Sequence, residues 1–471
     1  MRPEGASAAH GHSKIMHSDT DPIVAVATAA GRGGIGIVRV SAPPERAAGM
    51  LEALFPGRRA EPRHAHLWPV TDASGNLLDH AIVLWFPAPA SYTGESVLEI
   101  QAHGGPVLMR MITRTVLEKC AAFGVRLAEP GEFTKRAFLN GRMDLAQAEA
   151  VSDLIDAVSE SAVSAATRSL TGEFSNLVHA VADETDELRA YVEASLDFPE
   201  EEVENLAQGR IFERTEALLE RIRTILATAR RGSVLREGVT VALVGSPNVG
   251  KSSLLNALAG EEVAIVTDIA GTTRDKIEHW VTIEGVPLRI VDTAGIRETS
   301  DTVEAKGIER TLDAASKADL VLHLVDASGR IVDEENVLKR VMSVVRRGVP
   351  LVTVANKADE ADPSRTPLPD EILISARTGA GLENLRRVLL ESAGMSASTD
   401  GLFMARERHL DCLRRAQSHL EAALAMRTGF CMMELLAEEL RLAGSALGEI
   451  RGETTPDDLL GMIFSKFCIG K

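Results

Sequence analysis

Apolar residues follow two different periods along this chain. Between residues 23 and 140 they form short runs separated by Pro, Gly and Asp, with one helix-like stretch at residues 106–123. Short apolar or alternating runs of this kind predict strands, here 23–28, 35–41, 81–86 and 96–103. In the last run a period of two places Leu98 and Ile100 on one face and Glu99 on the other. The pattern predicts a small α+β domain.

A helical period replaces the strand period after residue 142. No proline occurs from 142 to 195, and apolar residues recur with the i, i+3, i+4, i+7 spacing of one helical face. The same kind of spacing returns after an acidic run at 197–204, which we interpret as a solvated loop and helix start, and again near the C-terminus. The three stripes are Val151, Leu154, Ile155 and Val158; Leu218, Ile222 and Ile225; and Leu436, Leu440, Ala443 and Leu447.

A glycine-rich motif stands between the helical regions. The buried-type run 239–244 is followed by Gly245-Ser-Pro-Asn-Val-Gly-Lys-Ser252 and then by a helix-like segment. Strand, loop and helix in this order are the context that a phosphate-binding loop requires. Gly245 and Gly250 let the backbone approach a polyphosphate, Lys251 adds a positive charge, and Ser252 offers a hydroxyl to Mg²⁺. The alternative is an ordinary glycine-rich turn.

Three downstream motifs indicate which nucleotide is bound. Asp292-Thr-Ala-Gly295 ends a predicted strand, as an aspartate near Mg²⁺ and a glycine facing a γ-phosphate would. Asn356-Lys-Ala-Asp359 follows another strand, and Ser375-Ala-Arg377 a third. A carboxylate at Asp359 can accept both N–H donors of a guanine edge, which adenine does not supply, and this disfavours a P-loop ATPase. The region resembles the G domain of translation-factor-type GTPases.

The segment before these motifs suggests how hydrolysis is activated. Thr273 lies in a first-switch pattern and is expected to complete the Mg²⁺ shell, whereas Ile296 stands where Ras-like proteins carry a water-positioning glutamine. An aliphatic side chain cannot orient water. The segment and Asn248 resemble potassium-activated GTPases, and that resemblance implies a K⁺ site. Its expected ligands are Asn248, Thr267, Ile269 and Thr272; a loop-stabilising amide is the alternative role for Asn248.

Together these motifs predict the contacts of GTP and its ions. The expected residues are Asn248, Val249, Gly250, Lys251, Ser252, Ser253, Thr267, Asp268, Ile269, Ala270, Gly271, Thr272, Thr273, Asp292, Thr293, Ala294, Gly295, Asn356, Lys357, Asp359, Ser375, Ala376 and Arg377. Asp292 is included among the residues that would act in catalysis.

Charge and cysteine usage restrict the partners and the compartment. The formal net charge is -17, yet residues 1–144 hold 15 Lys plus Arg against 14 Asp plus Glu, so the rest carries nearly all of it. Nucleic acid would therefore have to bind a local basic patch or a partner protein. Four separated cysteines without a C-x-x-C pair favour a reduced cytoplasmic compartment. No apolar run is long enough to span a bilayer, so no membrane association is expected.

The C-terminus ends in Phe-Cys468-Ile-Gly-Lys471. A thiol near Lys466 and Lys471 is a candidate reactive group, although a free cysteine is more often a small buried apolar residue. This ending, the potassium-type G domain and an N-terminal region with Gly31-Arg-Gly-Gly-Ile-Gly36 and Pro130-Gly-Glu-Phe-Thr-Lys-Arg-Ala-Phe-Leu-Asn140 closely resemble the MnmE (TrmE) family of tRNA modification GTPases.

The resemblance implies a fold and a domain order. The expected fold is multidomain: an N-terminal α+β domain, an α-helical bundle domain, and an α/β P-loop G domain inserted into the helical domain, an arrangement that two helical regions flanking the G domain also favour. The expected boundaries are 1–21, a disordered extension; 22–140, the folate-binding and dimerisation domain; 141–237, the first helical part; 238–396, the G domain; and 397–471, the second helical part with the FCIGK ending.

The resemblance also implies a reaction and partners. A K⁺-dependent GTPase of this family acts as a homodimer with an FAD-containing flavoprotein, MnmG (GidA), to form the 5-(carboxymethyl)aminomethyl group on the wobble uridine, U34, of certain tRNAs. A reduced folate, 5-formyl- or methylene-tetrahydrofolate, would be the one-carbon donor, and its contacts would be Arg39, Glu99, Arg142 and Lys471. Arg142 stands where a lysine is expected in relatives, so the geometry of that contact differs.

Two further roles follow from the resemblance alone. Cys468 would lie near the folate as a nucleophile or acid/base group, and Glu304 would assist the attacking water. On the residues alone, Glu304 is equally well an exposed acid at a helix start. A ribosome-assembly GTPase is the competing function; that class usually carries a basic RNA-binding domain or a second G domain, and the sequence has one phosphate loop.

Overall fold

The structure is a computed structural model. It describes residues 20–197, 204–246, 248–259, 278–292, 312, 315–329, 335–362, 365, 371–392, 394–395, 401–428, 433–453 and 457–470. The expected disordered extension lies almost entirely outside these residues.

Twelve strands and thirteen helices can be assigned among the described residues. The strands are β1 Ile23–Val26, β2 Gly33–Ala42, β3 His66–Thr71, β4 Leu77–Phe86, β5 Ser96–Gly104, β6 Arg126–Leu127, β7 Val239–Val244, β8 Glu278–Ile283, β9 Val286–Asp292, β10 Leu320–Asp326, β11 Leu351–Asn356 and β12 Glu371–Leu373. The helices are α1 Pro44–Leu54, α2 Pro106–Lys119, α3 Glu132–Leu139, α4 Leu145–Asp156, α5 Glu160–Leu170, α6 Glu173–Asp197, α7 Glu204–Glu237, α8 Lys251–Ala259, α9 Glu335–Val344, α10 Leu382–Ser392, α11 Glu407–Ala425, α12 Met433–Arg451 and α13 Asp457–Phe464.

The chain divides into two compact units. One contains Met1–Ala148 and Thr455–Lys471 and is called the N-terminal unit; the other contains Glu149–Thr454 and is called the central unit. No helix among the described residues is long and apolar enough to cross a membrane.

The N-terminal unit is built on a six-stranded sheet in the order β3-β4-β5-β2-β1-β6. Neighbouring strands are antiparallel, except that β1 and β6 are parallel. Helices α1 and α2, each with proline in its first turn where a missing N–H costs nothing, pack on one face with Val38 and Ile100. Leu98 and Ile100 are buried and Glu99 faces the other side, as predicted.

The C-terminal segment belongs to the N-terminal unit. Phe464 and Phe467 pack with Leu145 in one apolar cluster. Gly131 has a φ of +68°, and a Cβ on it would lie 2.6 Å from the carbonyl oxygen of Phe464. The Gly131 N–H donates to the carbonyl of Cys468 at 3.4 Å. The Pro-Gly-Glu part of the N-terminal motif is thus the surface on which the FCIGK ending lies.

Helices α6, α7, α11 and α12 form the bundle of the central unit, each packing against its neighbours. The two later apolar stripes are its core: Leu218 and Ile222 are fully buried, as are Leu436, Leu440, Ala443 and Leu447. The prediction of helical faces at these two stripes is confirmed.

The first predicted stripe is wrong. Helix α4 ends at Asp156, and Ile155 and Val158 are 47% and 40% exposed. The side of α4 that is buried instead carries two carboxylates, Glu149 at 1% and Asp153 at 6% exposure. Both are neutralised by arginines that lie far away in sequence, and apolar periodicity does not detect such a face.

The G domain of the central unit is a second six-stranded sheet, in the order β12-β11-β10-β7-β9-β8. All neighbours are parallel except β8, which is antiparallel to β9. The central strands read as continuous apolar runs because both faces are covered. The carboxyl ends of β7, β10, β11 and β12 meet at one edge, where α/β sheets bind their ligands.

Candidate guanine nucleotide site

The phosphate loop follows β7, whose six residues are all buried. Asn248 and Gly250 both have positive φ, +64° and +98°. A Cβ on Gly250 would lie 2.2 Å from Nδ2 of Asn356, and a Cβ on Gly245 would lie 2.5 Å from the carbonyl oxygen of Leu324. The loop can take this shape only because glycine stands at both positions.

Lys251 and the serines that follow it open helix α8. The Lys251 ammonium is 7% exposed and donates to the carbonyls of Gly245 and Ser246 at 2.6 and 3.0 Å. Ser252 and Ser253 are exposed on the first helical turn. A buried cation and a helix N-terminus therefore face the same loop, which is the electrostatic arrangement that favours a polyphosphate.

Asn356 ties the phosphate loop to the base-binding turns. It is 2% exposed. Its Nδ2 donates to the carbonyl of Val249 at 2.9 Å, and its Oδ1 accepts from the N–H of Ala376 at 3.0 Å. Both ends of the amide are thus used within the protein, so Asn356 acts by holding two ligand-binding loops together.

Asp359 lies at the same edge with its carboxylate held in place. Its Oδ1 accepts from the Ser375 hydroxyl at 2.7 Å, and Arg377 lies 3.8 Å from Oδ2. The hydrogen bond from Ser375, and secondarily the charge of Arg377, lower the pKa of Asp359. Asp359 is exposed, so an ionised acceptor points toward ligand space with one oxygen already oriented.

Asp326, which the sequence analysis did not select, completes this edge. It ends β10 and is 8% exposed. Lys357, held at a φ of +64°, donates to its Oδ2 at 2.8 Å. Burial opposes ionisation, but the bonds from Lys357 and Ser328 outweigh it and lower the pKa of Asp326. A carboxylate closing an apolar strand was the signal that could have identified it.

The ion-binding residues are described only in part. The backbone of Asp292 ends β9 and is in register with Leu243 of β7, directly before the phosphate loop. That position and the Ser252 hydroxyl fit the oxygen-donor chemistry of Mg²⁺. The remaining predicted residues lie outside the described residues: Thr267, Asp268, Ile269, Ala270, Gly271, Thr272, Thr273, Thr293, Ala294, Gly295 and Glu304.

A second group of predicted residues comes together in the N-terminal unit. Arg39 and Glu99 are cross-strand neighbours on β2 and β5, with Nε and Oε1 2.9 Å apart. The Arg39 Nη1 donates to the carbonyl of Gly470 at 3.3 Å. Its guanidinium lies 5.6 Å from the ring centroid of Tyr92 and 5.8 Å from that of Phe133. The C-terminal ending and a charged pair therefore meet beside two aromatic rings.

The other residues of this group lie as follows. Arg142 is exposed, and its Cγ would lie 3.4 Å from a Cβ on Gly94, so its aliphatic part runs along the loop between β4 and β5. Lys471 lies outside the described residues. Cys468 is exposed, so its interpretation as a small buried apolar residue is wrong: the ending turns Phe467 inward and leaves the thiol at the surface.

Comparisons with known proteins agree with this architecture. Residues 145–468 match the family model of the MnmE helical domain, and residues 22–142 match that of the GTP-binding protein TrmE N-terminus. The chain is 50% identical to the tRNA modification GTPase MnmE of Cupriavidus necator, over 96% of this chain and 99% of that one. It is 52% identical to the protein of the same name from Ralstonia nicotianae, over 96% and 97%.

The chain belongs to the MnmE family.

Membership confirms the predicted family and, with the two sheets and the bundle described above, the predicted fold class. A solved G domain, that of the T. maritima FeoB iron transporter, is 27% identical and covers 33% of this chain and 98% of that one with a TM-score of 0.26. At that score the assignment of the G domain rests on its strand order and loop residues.

Proposed function

We propose that this chain is a GTPase that acts in tRNA modification and spends GTP to drive a step of that process. Its relatives of about half identical sequence, matched over nearly their full length, carry the name tRNA modification GTPase. The observation that carries the choice of GTP is the oriented carboxylate of Asp359 beside the phosphate loop. It accepts from the N1–H and the exocyclic amine of guanine, which adenine cannot reproduce.

The described residues divide the work of binding the nucleotide. The loop N–H groups and Lys251 bind the phosphates, and the Ala376 N–H lies in the turn that would approach the guanine oxygen. Mg²⁺ would be held by Ser252 and Thr273 with Asp292 nearby, and it supplies charge neutralisation at the β- and γ-phosphates when bound. The protein's own task is to orient these groups before the ligand arrives.

We infer that K⁺ and Glu304 replace the glutamine and arginine of other GTPases. Asn248, Thr267, Ile269 and Thr272 would hold K⁺, and the left-handed backbone of Asn248 lifts this residue out of the regular loop. Replacing K⁺ with Na⁺ is expected to lower kcat by tenfold or more with little change in nucleotide affinity. Glu304→Ala is expected to lower kcat in the same manner, and an unchanged kcat would remove its role.

We propose that the Arg39 site binds the reduced folate that supplies one carbon. Arg39 and Glu99 offer a fork and a carboxylate to a ring bearing donors and acceptors, while Tyr92 and Phe133 offer aromatic faces. Arg142 and Lys471 would bind the anionic tail. The exposed thiol of Cys468 lies two residues from Gly470, whose carbonyl contacts Arg39, so it is close enough to be tested as a nucleophile or proton donor.

The partners complete the proposal. The chain would work in the cytoplasm as a homodimer with the FAD-containing flavoprotein MnmG on the wobble uridine of certain tRNAs. The test is mass spectrometry of tRNA nucleosides from cells that lack the chain, complemented with the wild type, Asp359→Asn or Cys468→Ser. Wild type is expected to restore the C5-substituted uridine and both variants to fail. Unchanged nucleosides in the deletion would contradict the function, whereas restoration by Cys468→Ser would contradict only the role of the thiol.

A further inference from the structure

One loop of the N-terminal unit is basic in an acidic chain. The segment between α1 and the end of its connection to β3, residues 57–66, contains Arg58, Arg59 and Arg63 against a single acid, Glu61, whereas the whole chain carries -17. All three arginines are exposed. The loop is therefore a local positive feature on a molecule whose overall field repels polyanions.

The charges of these arginines are not used by the protein. Among the described residues, none of the three guanidinium groups has a carboxylate partner. Surface arginines of the central unit behave differently: Arg223 pairs with Glu421 at 2.9 Å and Arg415 with Glu449 at 2.6 Å. A guanidinium without an internal partner keeps its full donor set for an external anion.

Rings are stacked beside these charges. Trp68 is 7% exposed, and it contacts Arg58, whose guanidinium lies 5.6 Å from the ring centroid, and His66, at a centroid distance of 4.8 Å and an interplanar angle of 26°. His64 follows at 5.4 Å from His66 and is exposed. The series therefore runs from a buried indole to a solvent-facing imidazole.

The loop is held in shape by bonds that do not involve the arginine charges. The Glu61 N–H donates to Nε2 of His66 at 3.0 Å, which fixes that ring as a neutral acceptor. The Arg63 N–H donates to the carbonyl of Trp85 at 2.8 Å. Arg63 itself has a φ of +61°, a conformation that costs free energy and persists because these bonds impose it. Charges and rings are thus presented in a fixed arrangement.

We propose that this loop is an RNA-binding surface that takes unpaired nucleotides, with phosphates on Arg58 and Arg59 and a base on the exposed face of His64. Arginine forks bind phosphate oxygens, and bases stack on aromatic or imidazole rings in single-stranded segments. An acidic protein partner would use the charges but has no need of a stacked ring at the outer position. The proposal rests on the proposed function in naming tRNA as the RNA.

The test uses the full-length chain and a fluorescently labelled transcript of a tRNA with uridine at the wobble position. Arg58→Gln/Arg59→Gln is expected to weaken binding about tenfold or more and to reduce the slope of log K against log salt by about 1.5 to 2, as for two lost phosphate contacts. Arg340→Gln/Arg347→Gln removes the same charge from exposed positions of the central unit and is expected to change binding less than about twofold. Equal effects of the two doubles, or no effect of the first, would overturn the proposal.

A second pair of variants tests the stacked ring. His64→Phe keeps an aromatic face and is expected to bind tRNA as the wild type does, whereas His64→Ala is expected to bind about fivefold or more weakly, since one stacked base is lost. Equal binding by both would refute the base contact. GTP hydrolysis is measured in parallel and is expected to be unchanged. A wild-type chain that binds tRNA but restores no modified nucleoside would refute the proposed function and leave this surface intact.

Discussion

Gly250 shows how one residue can fix a ligand site. With a φ of +98° and a prospective Cβ 2.2 Å from the Asn356 amide, Gly250→Ala would strain the backbone by about 1–2 kcal/mol and also displace the amide that ties two loops together. We expect GTP affinity to fall at least tenfold, measured with a fluorescent guanine nucleotide. Gly348→Ala is the control, because Gly348 has a φ of +90° with open space around its Cβ position. Equal losses in both variants would mean that the amide contact is unimportant.

Asp359 determines which base is accepted. In Asp359→Asn the amide keeps an oxygen for Ser375 but replaces the second acceptor with a donor, so one guanine N–H loses its partner and faces another donor. The loss of a charged hydrogen bond and the new repulsion are expected to weaken GTP binding about 100-fold or more. Xanthosine triphosphate, which has a carbonyl at that position, is expected to bind better than GTP. Glu360→Gln removes a neighbouring charge and is expected to leave the preference for GTP intact; an unchanged preference in Asp359→Asn would refute the assignment.

The residues of the nucleotide site were predictable to different degrees. The phosphate loop was predictable because its glycines and lysine act through backbone shape and local charge over eight consecutive positions. The internal roles of Asn356 and the pair of Asp326 with Lys357 were not, because their partners come from other strands. Local spacing specifies a loop, whereas a contact between strands depends on the order of the sheet.

At the scale of elements, α4 binds both connections to the G domain. Asp153 pairs with Arg236, at the end of α7 just before β7, and with Arg406, just before α11, at 2.9 and 2.7 Å. Glu149, one turn earlier, pairs with Arg408 at 2.5 Å. The chain therefore enters and leaves the G domain past one helix whose buried carboxylates hold both passages. Removing either carboxylate would leave buried arginines without partners, which is the costly way to break such a pair.

The same cluster makes stability depend on pH through His409. Its Nδ1 accepts from the Arg406 N–H at 3.1 Å and its Nε2 donates to Glu149 at 2.8 Å, so a second proton would break the first bond. Burial and the neighbouring Arg408 lower the pKa of His409. The unfolded chain therefore takes up the proton more readily, and the contribution is complete above about pH 6.5 and declines below it, by at most about 1.4 kcal/mol per pH unit.

The measurement is the melting temperature between about pH 7.5 and 5.5. His409→Gln, which offers a neutral donor and acceptor, is expected to lose less stability over this range than the wild type does. His80→Gln, at an exposed position, is expected to retain the wild-type decline. Burial also lowers the pKa of His323, so part of the decline should persist in His409→Gln. Parallel curves for the wild type and His409→Gln would show that the imidazole does not titrate as argued.

Elements were predictable where apolar spacing decided their burial. The bundle stripes are such a case. Helix α4 was given the wrong face because paired carboxylates are buried there in place of apolar residues. Strand β3 was missed because Pro69 and His66 lie in it; proline is tolerated there since β3 is an edge strand.

At the scale of the whole central unit, the inserted G domain shares a core with the helices that flank it. Ala162, Ala165 and Ala166 of α5 and Leu235 of α7 belong to the same apolar cluster as Val281 and Leu288 of the G domain sheet. The hydroxyl of Ser159, which caps α5, also donates to the carbonyl of Gly285 in the β8–β9 turn at 2.7 Å. An insert joined only by two connections would unfold independently, whereas a shared core couples the two stabilities.

Leu235→Ala tests this coupling. Leu235 is 1% exposed, and its truncation is expected to cost about 2–5 kcal/mol and to raise hydrogen exchange in β7 and β9 as well as in α7. Leu226→Ala is the matched control: the same side chain in the same helix is 5% exposed but lies outside the shared cluster, about 13 Å further along the axis. It is expected to raise exchange in the bundle and to spare β7 and β9. If Leu235→Ala also spares these strands, the G domain is an independent folding unit. If both strands respond, a change that loosens the sheet of the G domain must also loosen α5 and α7, and through this route the state of the nucleotide site would reach the helical bundle.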